Sequence, residues 1–102
     1  MEKDSLLEKT GIKPKVIQEI IGLAEKNQIE KVILFGSRAR GDYKERSDID
    51  LAFCGGSSRF ILEVDEETST LLEFDVIDMD KPVTKELLES INREGIVLYE
   101  KV

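Results

Sequence analysis

Apolar residues along the chain recur first with helical spacing and then with the alternation of strands. In PKVIQEIIGLAEKNQ they recur every three or four positions, which predicts an amphipathic helix with a proline near its start. The run EKVILFG, ended by Gly36, predicts a short buried strand, and SRARGDYKER after it is expected to begin as a short helix. Polar and apolar residues alternate in SDIDLAF, so that Asp48 and Asp50 point to the same face of a second strand.

The second half of the chain continues this order. RFILEVDEETSTLL is ambiguous between a helix and a loop, because its threonines weaken the helical pattern. LEFDVID predicts a third strand, with Asp75 on the face opposite to Phe74 and Val76. TKELLESINREG predicts a helix ended by Gly95, and IVLYE a last strand. We therefore expect one α/β (α+β) domain over residues 1–102, with a small mixed β-sheet flanked by helices, covered on one face and open where the acids gather.

The composition indicates a compact soluble domain. Of 102 residues, 40% are hydrophobic and 36% are charged, and the sequence holds two prolines and no internal repeat. No apolar run approaches the roughly 20 residues that span a bilayer, and the polar start MEKDSLLEKTG lacks the apolar core of a signal peptide. We therefore expect no membrane partner and a cytoplasmic location.

Histidine is absent and Cys54 is the single cysteine of the sequence. One thiol cannot form a disulfide within the chain, and the lack of imidazole excludes catalysis by a histidine base and histidine metal sites. Any chemistry must therefore depend on carboxylates, hydroxyls, lysines, arginines or a bound metal ion.

The charge of the chain is unevenly distributed. The net charge of −7 argues against general binding to a phosphate backbone, so no stable nucleic-acid binding is expected. Between Lys31 and Arg46, however, five cationic side chains face only two acidic ones. A small basic region on an acidic protein suits a compact anion such as a nucleoside triphosphate.

Candidate chemistry is concentrated in ILFGSRARGDYKERSDIDLAF, residues 33–53. Gly36 would let a phosphate approach the backbone N–H groups of the turn, and the Ser37 hydroxyl can add a donor. Asp48 and Asp50 are hard oxygen ligands that suit Mg²⁺. Taken alone, the turn is also typical of an ordinary helix cap and the acid pair of a solvated strand edge. Together with Asp75 they indicate two-metal phosphoryl transfer.

These residues carry a resemblance to a known family. GSRARG followed by SDIDLAF resembles the signature of the polymerase-beta-type nucleotidyltransferase superfamily, in which Gly-Ser precedes Asp-x-Asp on a strand by about ten residues. The short length and the ending INREGIVLYEK are similar to its minimal nucleotidyltransferase (MNT) branch, whose members are often encoded beside an all-helical HEPN protein in toxin–antitoxin pairs. The resemblance extends over nearly the whole chain and implies a nucleotidyltransferase fold.

The resemblance also implies roles for individual residues. Gly36 and Ser37 would hold the β- and γ-phosphates of ATP, and Arg40 would neutralise the leaving pyrophosphate. Asp48 and Asp50 would bind two Mg²⁺ ions, and the site would be completed by a third acid, Asp75.

Three further charged residues are alternatives to this set. Arg38 is the alternative to Arg40 as the cation that neutralises the leaving pyrophosphate; otherwise it would be a solvated surface charge. Asp78 and Asp80 compete with Asp75 as the third acid, although their positions at a strand end and beside Lys-Pro favour roles as a cap or a loop charge.

The function that the resemblance implies is transfer of AMP from ATP to a hydroxyl of a HEPN-type RNase partner encoded nearby, with the chain acting as an antitoxin. An alternative from another class is a nucleotide-binding module that neutralises a helical partner by complex formation without turnover. A third is a purely structural domain, in which the acid pair and the basic region would be coincidental. The sequence leaves open whether the chain forms homo- or hetero-oligomers.

Overall fold

The computed structural model describes residues 7–102; the first six residues, part of the polar start, lie outside the described part of the chain. Helices and strands alternate within it as the periodicity predicts. The helices are α1 Pro14–Lys26, α2 Ser37–Arg40, α3 Arg59–Glu67 and α4 Lys85–Glu94, and the strands are β1 Lys31–Phe35, β2 Ile49–Cys54, β3 Phe74–Asp78 and β4 Ile96–Glu100. None of the helices in residues 7–102 has the length and apolar character needed to cross a membrane.

The four strands form one mixed sheet in the order β3-β2-β1-β4, as expected. β2 and β4 both run antiparallel to β1. β3 runs parallel to β2, because α3 carries the chain back between these two strands. As a result, the end of β1 and the beginnings of β2 and β3 lie at the same end of the sheet. All the predicted site residues of the first half of the chain lie at or beside this end.

One face of the sheet carries the main core. The apolar stripe of α1 packs there against alternate residues of the strands, in a cluster that includes Ile20, Leu34 and Leu51. The ambiguous segment forms α3, which ends before its threonines and packs Phe60 edge-on against Phe53, with 5.3 Å between the ring centres. The helical interpretation of this segment is therefore correct, and its threonines lie beyond the helix.

The other face of the sheet is covered in part by α4. Ile91 of this helix is buried against Ile33, Phe35 and Ala52. The expectation of helices on one face of the sheet alone is therefore wrong. The physical reason is that α4 has an apolar stripe of its own, which needs a surface to cover it. The end of the sheet where the acids gather is open, as expected, since Asp48 and Asp75 are exposed.

The junction between α4 and β4 is tightly packed. Gly95 follows α4 as predicted, but its backbone is extended, with φ −63°, instead of left-handed. A Cβ at this position would lie 2.5 Å from the side chain of Ile33 and would also collide with the carbonyl oxygen of Ile91. Glycine is therefore needed here for the close approach of the helix end to β1.

Candidate active site

Gly36 and Asp50 bring the two halves of the motif into contact. Phe35, the last residue of β1, pairs with Asp50 of β2, so that Gly36 comes directly beside the Asp50 side chain. Gly36 has φ 77°, a conformation that other residues rarely adopt. A Cβ on Gly36 would lie 2.9 Å from Cγ of Asp50 and would collide with its carboxylate oxygen. The glycine is therefore required both by the turn and by the carboxylate that fills the space beside it.

Two of the three predicted acids, Asp48 and Asp75, lie near the third, Asp50. Asp50 pairs with Asp75 in the parallel register between β2 and β3, and Asp48 lies just before β2, two residues away. Asp48 and Asp75 are exposed, whereas Asp50 is half-buried. Burial, followed by the nearby charges of Asp75 and Asp48, raises the pKa of Asp50 from 3.8 to about 6. Mutual repulsion of this kind is relieved when a cation binds between the carboxylates.

The donor set of this acidic cluster fits a hard divalent cation. Carboxylate oxygens are the ligands that Mg²⁺ prefers, with waters and substrate phosphates in its other positions. Within residues 7–102, however, no three acidic or cysteine side chains are already arranged to hold an ion. Asp48, Asp50 and Asp75 could therefore supply only part of a coordination shell, with additional oxygen atoms from outside the chain.

Ser37 begins α2, the one-turn helix that follows β1. The N–H groups at the start of a helix have no carbonyl partner inside it, so they are available to an anion. Four residues provide little helix dipole, however, so an anion at this turn would be held by individual N–H groups and a nearby cationic side chain. The side chain of Ser37 is half-buried at the turn, next to Gly36.

Arg40 lies at the surface beside this turn. Its Nε donates to both carboxylate oxygens of Asp42, at 3.3 and 3.2 Å, and its Nη1 donates to Oε1 of Glu94 at 3.0 Å. Its hydrogen bonds to Asp42 and then to Glu94 raise the pKa of Arg40. Its positive charge also acts on Asp50, whose pKa it lowers slightly against the larger opposite effects. Arg40 is thus close enough to Asp50 for the two charges to interact.

Arg38 is buried, and the expectation of a solvated surface charge is wrong. Only 2% of the residue is exposed. Its guanidinium donates to the carbonyl oxygens of Ser47, Thr10 and Glu45 at 3.0, 2.9 and 3.1 Å, and it lies 4.7 Å from the centre of the Tyr43 ring. Arg38 therefore holds the loop between α2 and β2 in place, and this loop leads directly to the acid pair.

The two rival acids make local contacts outside the acidic cluster. Asp78 ends β3, and its Oδ1 accepts a hydrogen bond from the N–H of Asp80 at 3.0 Å. Asp80 accepts one from the N–H of Gly55 at 2.8 Å. Both contacts lie at the opposite end of β3 from Phe74, where the chain turns toward α4. These positions agree with the expected roles of a strand-end cap and a loop charge.

Glu94 is a site residue that the sequence analysis did not identify. It is the last residue of α4, and its side chain is only 12% exposed. Its Oε2 accepts a hydrogen bond from the N–H of Gly36 at 3.2 Å, while its Oε1 accepts the bond from Arg40. The only signal in the sequence is its position before Gly95, in the INREG ending, which gives no indication of a contact 58 residues away.

The geometry described above agrees with the comparisons to known proteins. A family model described as "Polymerase beta, Nucleotidyltransferase" matches residues 18–102. The chain belongs to this nucleotidyltransferase family. The Methanocaldococcus jannaschii protein named "Putative protein adenylyltransferase MJ0604" is 36% identical over 97 residues, which cover 83% of this chain and 96% of that protein.

Solved structures resemble this nucleotidyltransferase in fold. A toxin-antitoxin crystallised with AMP-PNP has a TM-score of 0.67 at 22% identity, covering 83% of this chain and 73% of that one. A variant of the toxin-antitoxin MntA-HpeT has a TM-score of 0.66 at 20% identity over the same shares. At this level of identity the likeness shows the fold alone.

Proposed function

We propose that this nucleotidyltransferase transfers AMP from ATP to a hydroxyl of a partner protein in the cytoplasm, and that the partner is a HEPN-type helical toxin encoded nearby. The observation that carries the proposal is the convergence of Asp48 and Asp75 on Asp50 beside Gly36. It brings a cation-binding set of acids against a turn with backbone donors. The name of the M. jannaschii relative supports a protein as the acceptor.

In this proposal the chain binds the nucleotide by its phosphates. Gly36, Ser37 and Arg40 contact the β- and γ-phosphates, and the positive charge of Arg40 compensates the charge that develops on the leaving pyrophosphate. Asp48 and Asp50 would hold two Mg²⁺ ions together with phosphate oxygens, and Asp75 would complete the second site. Bound Mg²⁺ would neutralise charge on the phosphates and acidify the attacking hydroxyl.

The transfer itself is a substitution at the α-phosphorus. The acceptor oxygen forms a bond to this phosphorus, and the bond to the oxygen that bridges to the β-phosphate breaks. Pyrophosphate leaves with that electron pair, and the exposed carboxylate of Asp75 takes the hydroxyl proton. Because β3 is an edge strand of the sheet, an acceptor can approach Asp75 from the open side.

A protein acceptor also agrees with the placement of the aromatic side chains. Phe35, Phe53 and Phe60 are buried in the two cores and cannot stack with bases. The net charge of −7 likewise disfavours a polynucleotide acceptor.

The test combines the purified chain with ATP, Mg²⁺ and the helical protein encoded nearby, and follows the mass of that protein. We expect a gain of one adenylyl group, lost in Asp48→Asn and Asp50→Asn and retained in Asp65→Asn, which changes an exposed acid of α3. If no nucleotide triphosphate produces a mass change with Mg²⁺ or Mn²⁺, the proposal is wrong.

The alternative function is neutralisation of the partner by binding alone. It is favoured by one observation, the lack of a ready-made three-acid metal site among the described residues. The same variants separate the two functions in cells. If Asp48→Asn and Asp50→Asn still protect against the partner's toxicity, binding without transfer is sufficient.

A further inference from the structure

A carboxylate of the chain occupies the donors that the proposed function assigns to nucleotide phosphates. Glu94 accepts from the N–H of Gly36 at 3.2 Å through Oε2 and from Nη1 of Arg40 at 3.0 Å through Oε1. The side chain is 12% exposed, so it is packed into this position and does not extend into solvent. One anionic group thus bridges the backbone of the β1–α2 turn and the arginine beside it.

A phosphate and this carboxylate cannot use the same donors at the same time. A backbone N–H donates one strong hydrogen bond, and a carboxylate bridging two donors resembles two oxygens of a phosphate in charge and spacing. The carboxylate also adds a negative charge to a cluster that already contains Asp48, Asp50 and Asp75, and it contributes to the raised pKa of Asp50. A nucleotide triphosphate entering this turn meets both a competitor and additional repulsion.

We propose that Glu94 is an internal anion that the nucleotide must displace, and that it thereby lowers the affinity of the site for triphosphate. This inference rests on the proposed function, because it assumes that phosphates bind at Gly36 and Arg40. Arg93 offers a position for the displaced side chain, since its Nη2 already lies 3.8 Å from Oε1 of Glu94 and is exposed. Rotation of the Glu94 side chain is then sufficient, and Ile91 keeps α4 anchored in the core.

The competing explanation is that Glu94 only attaches α4 to β1 or only orients Arg40. In the first case its removal weakens the fold without tightening nucleotide binding. In the second case its removal loosens Arg40 and weakens nucleotide binding. The direction of the change in affinity therefore separates displacement from both explanations.

The experiment measures binding by titration calorimetry with two probes, ATP with Mg²⁺ and inorganic tripolyphosphate in EDTA. It compares wild type with Glu94→Gln and with Glu89→Gln, a matched change on the exposed side of the same helix. Even with the screening of bulk water, removing one charge at about 4 Å from the phosphate should tighten binding at least about fivefold for Glu94→Gln. Glu89→Gln should bind like wild type.

A second readout does not depend on nucleotide binding. Amide hydrogen exchange at Gly36 should be faster in Glu94→Gln than in wild type, because the charged acceptor of this N–H is lost. Glu94→Asp retains the charge but is one methylene shorter, so it should give up at least one of the two bonds and tighten binding less than the glutamine variant. It also provides a test if the glutamine variant folds poorly.

The outcomes are distinguishable from failure of the proposed function. If wild type binds ATP and Glu94→Gln binds equally or more weakly, the displacement inference is overturned while the proposed function stands. If neither probe binds any variant, both proposals are overturned. Tighter binding in Glu94→Gln, with Glu89→Gln unchanged, supports displacement even if no protein acceptor is modified.

Discussion

The carboxylate of Asp50 lies in the space that a side chain at Gly36 would need. Cγ of Asp50 is 2.9 Å from the position of a Cβ on Gly36, and Gly36 has a left-handed φ of 77°. The Phe35–Asp50 pair of the β1–β2 ladder produces this contact. The glycine of the proposed phosphate turn and the central acid of the proposed metal site therefore depend on each other.

Gly36→Ala is expected to destabilise the protein and displace Asp50. Gly36 has φ 77° and ψ −159°, a region that is essentially restricted to glycine, so alanine there should cost about 1 to 3 kcal/mol. Overpacking against the carboxylate should add about 1 to 3 kcal/mol. Gly41→Ala is the control for a positive φ without the contact, because Gly41 has φ 93° and ψ 2° and open space around it. Urea unfolding of both variants measures the difference. In an Asp50→Ala background the excess cost of Gly36→Ala should shrink; an unchanged excess would contradict the contact.

The stability of the metal-free protein should fall as pH rises through the range in which Asp50 titrates. Its folded pKa of about 6 lies above the ordinary value of 3.8, so the native state binds the proton more tightly than the unfolded state. The loss of folding stability caused by ionisation of Asp50 is absent below pH 3.8 and complete above pH 6. Because Asp50 is only half-buried, we expect about 1 to 2 kcal/mol after allowance for solvent screening.

Asp50→Asn removes this pH dependence. In EDTA the variant should be more stable than wild type at pH 7.5, with no gain near pH 4, measured by urea unfolding across the range. Mg²⁺ should stabilise wild type at pH 7.5 but have little effect on the variant. Asp65→Asn, at an exposed position of α3, should follow the wild-type curve. Parallel curves of unfolding free energy against pH for wild type and Asp50→Asn would show that the raised pKa of Asp50 does not affect stability.

Arg38→Ala is expected to be severely destabilising. It leaves three carbonyl oxygens without their donor and removes the cation beside the Tyr43 ring, which should cost about 3 kcal/mol or more. Arg38→Lys should recover only part of this, because an ammonium lacks the planar fork of guanidinium donors. The exposed Arg46 provides the control, with Arg46→Ala within about 0.5 kcal/mol of wild type in the same urea unfolding experiment. Equal costs for the two alanine variants would contradict a structural role for Arg38.

Asp75→Asn should abolish transfer without affecting the fold. Asp75 is exposed on the edge strand, so the unfolding free energy of the variant protein should differ from that of wild type by less than about 0.5 kcal/mol. Loss of this proposed metal ligand should lower the transfer rate by roughly 100-fold or more. Asp78→Asn, three residues further along β3, alters a local turn and should retain most of the activity. The opposite order of the two rates would identify Asp78 as the third acid.

Much of the fold could be predicted because helix and strand periodicity depends on residues within a few positions of one another. The stripe of α1 and the alternation in β2 are of this kind, and both are confirmed. The same alternation predicts that Asp48 and Asp50, two residues apart at the start of β2, point to one face. The segment that forms α3 is ambiguous in the sequence because threonines follow the helix. Packing of Phe60 against Phe53 fixes it as a helix.

The burial and the contacts of each charged side chain could not be predicted from such local patterns. Arg38 and Arg40 are two residues apart and of one type, yet Arg38 is buried and Arg40 is exposed. The difference arises because Thr10 and the 43–47 loop provide carbonyl acceptors only where Arg38 points inward. Likewise, Glu94 meets Gly36 only because α4 packs across the second face of the sheet.

Local sequence thus specified the elements, the type of sheet and the candidate residues for phosphoryl transfer. Tertiary packing decided which carboxylates lie beside Asp50, which arginine stays exposed beside the turn, and which carboxylate accepts from the N–H of Gly36. The physical reason is that periodicity reports the environment of a side chain averaged over one face of an element. Hydrogen bonds and charge interactions depend instead on a few ångströms between residues far apart in the chain.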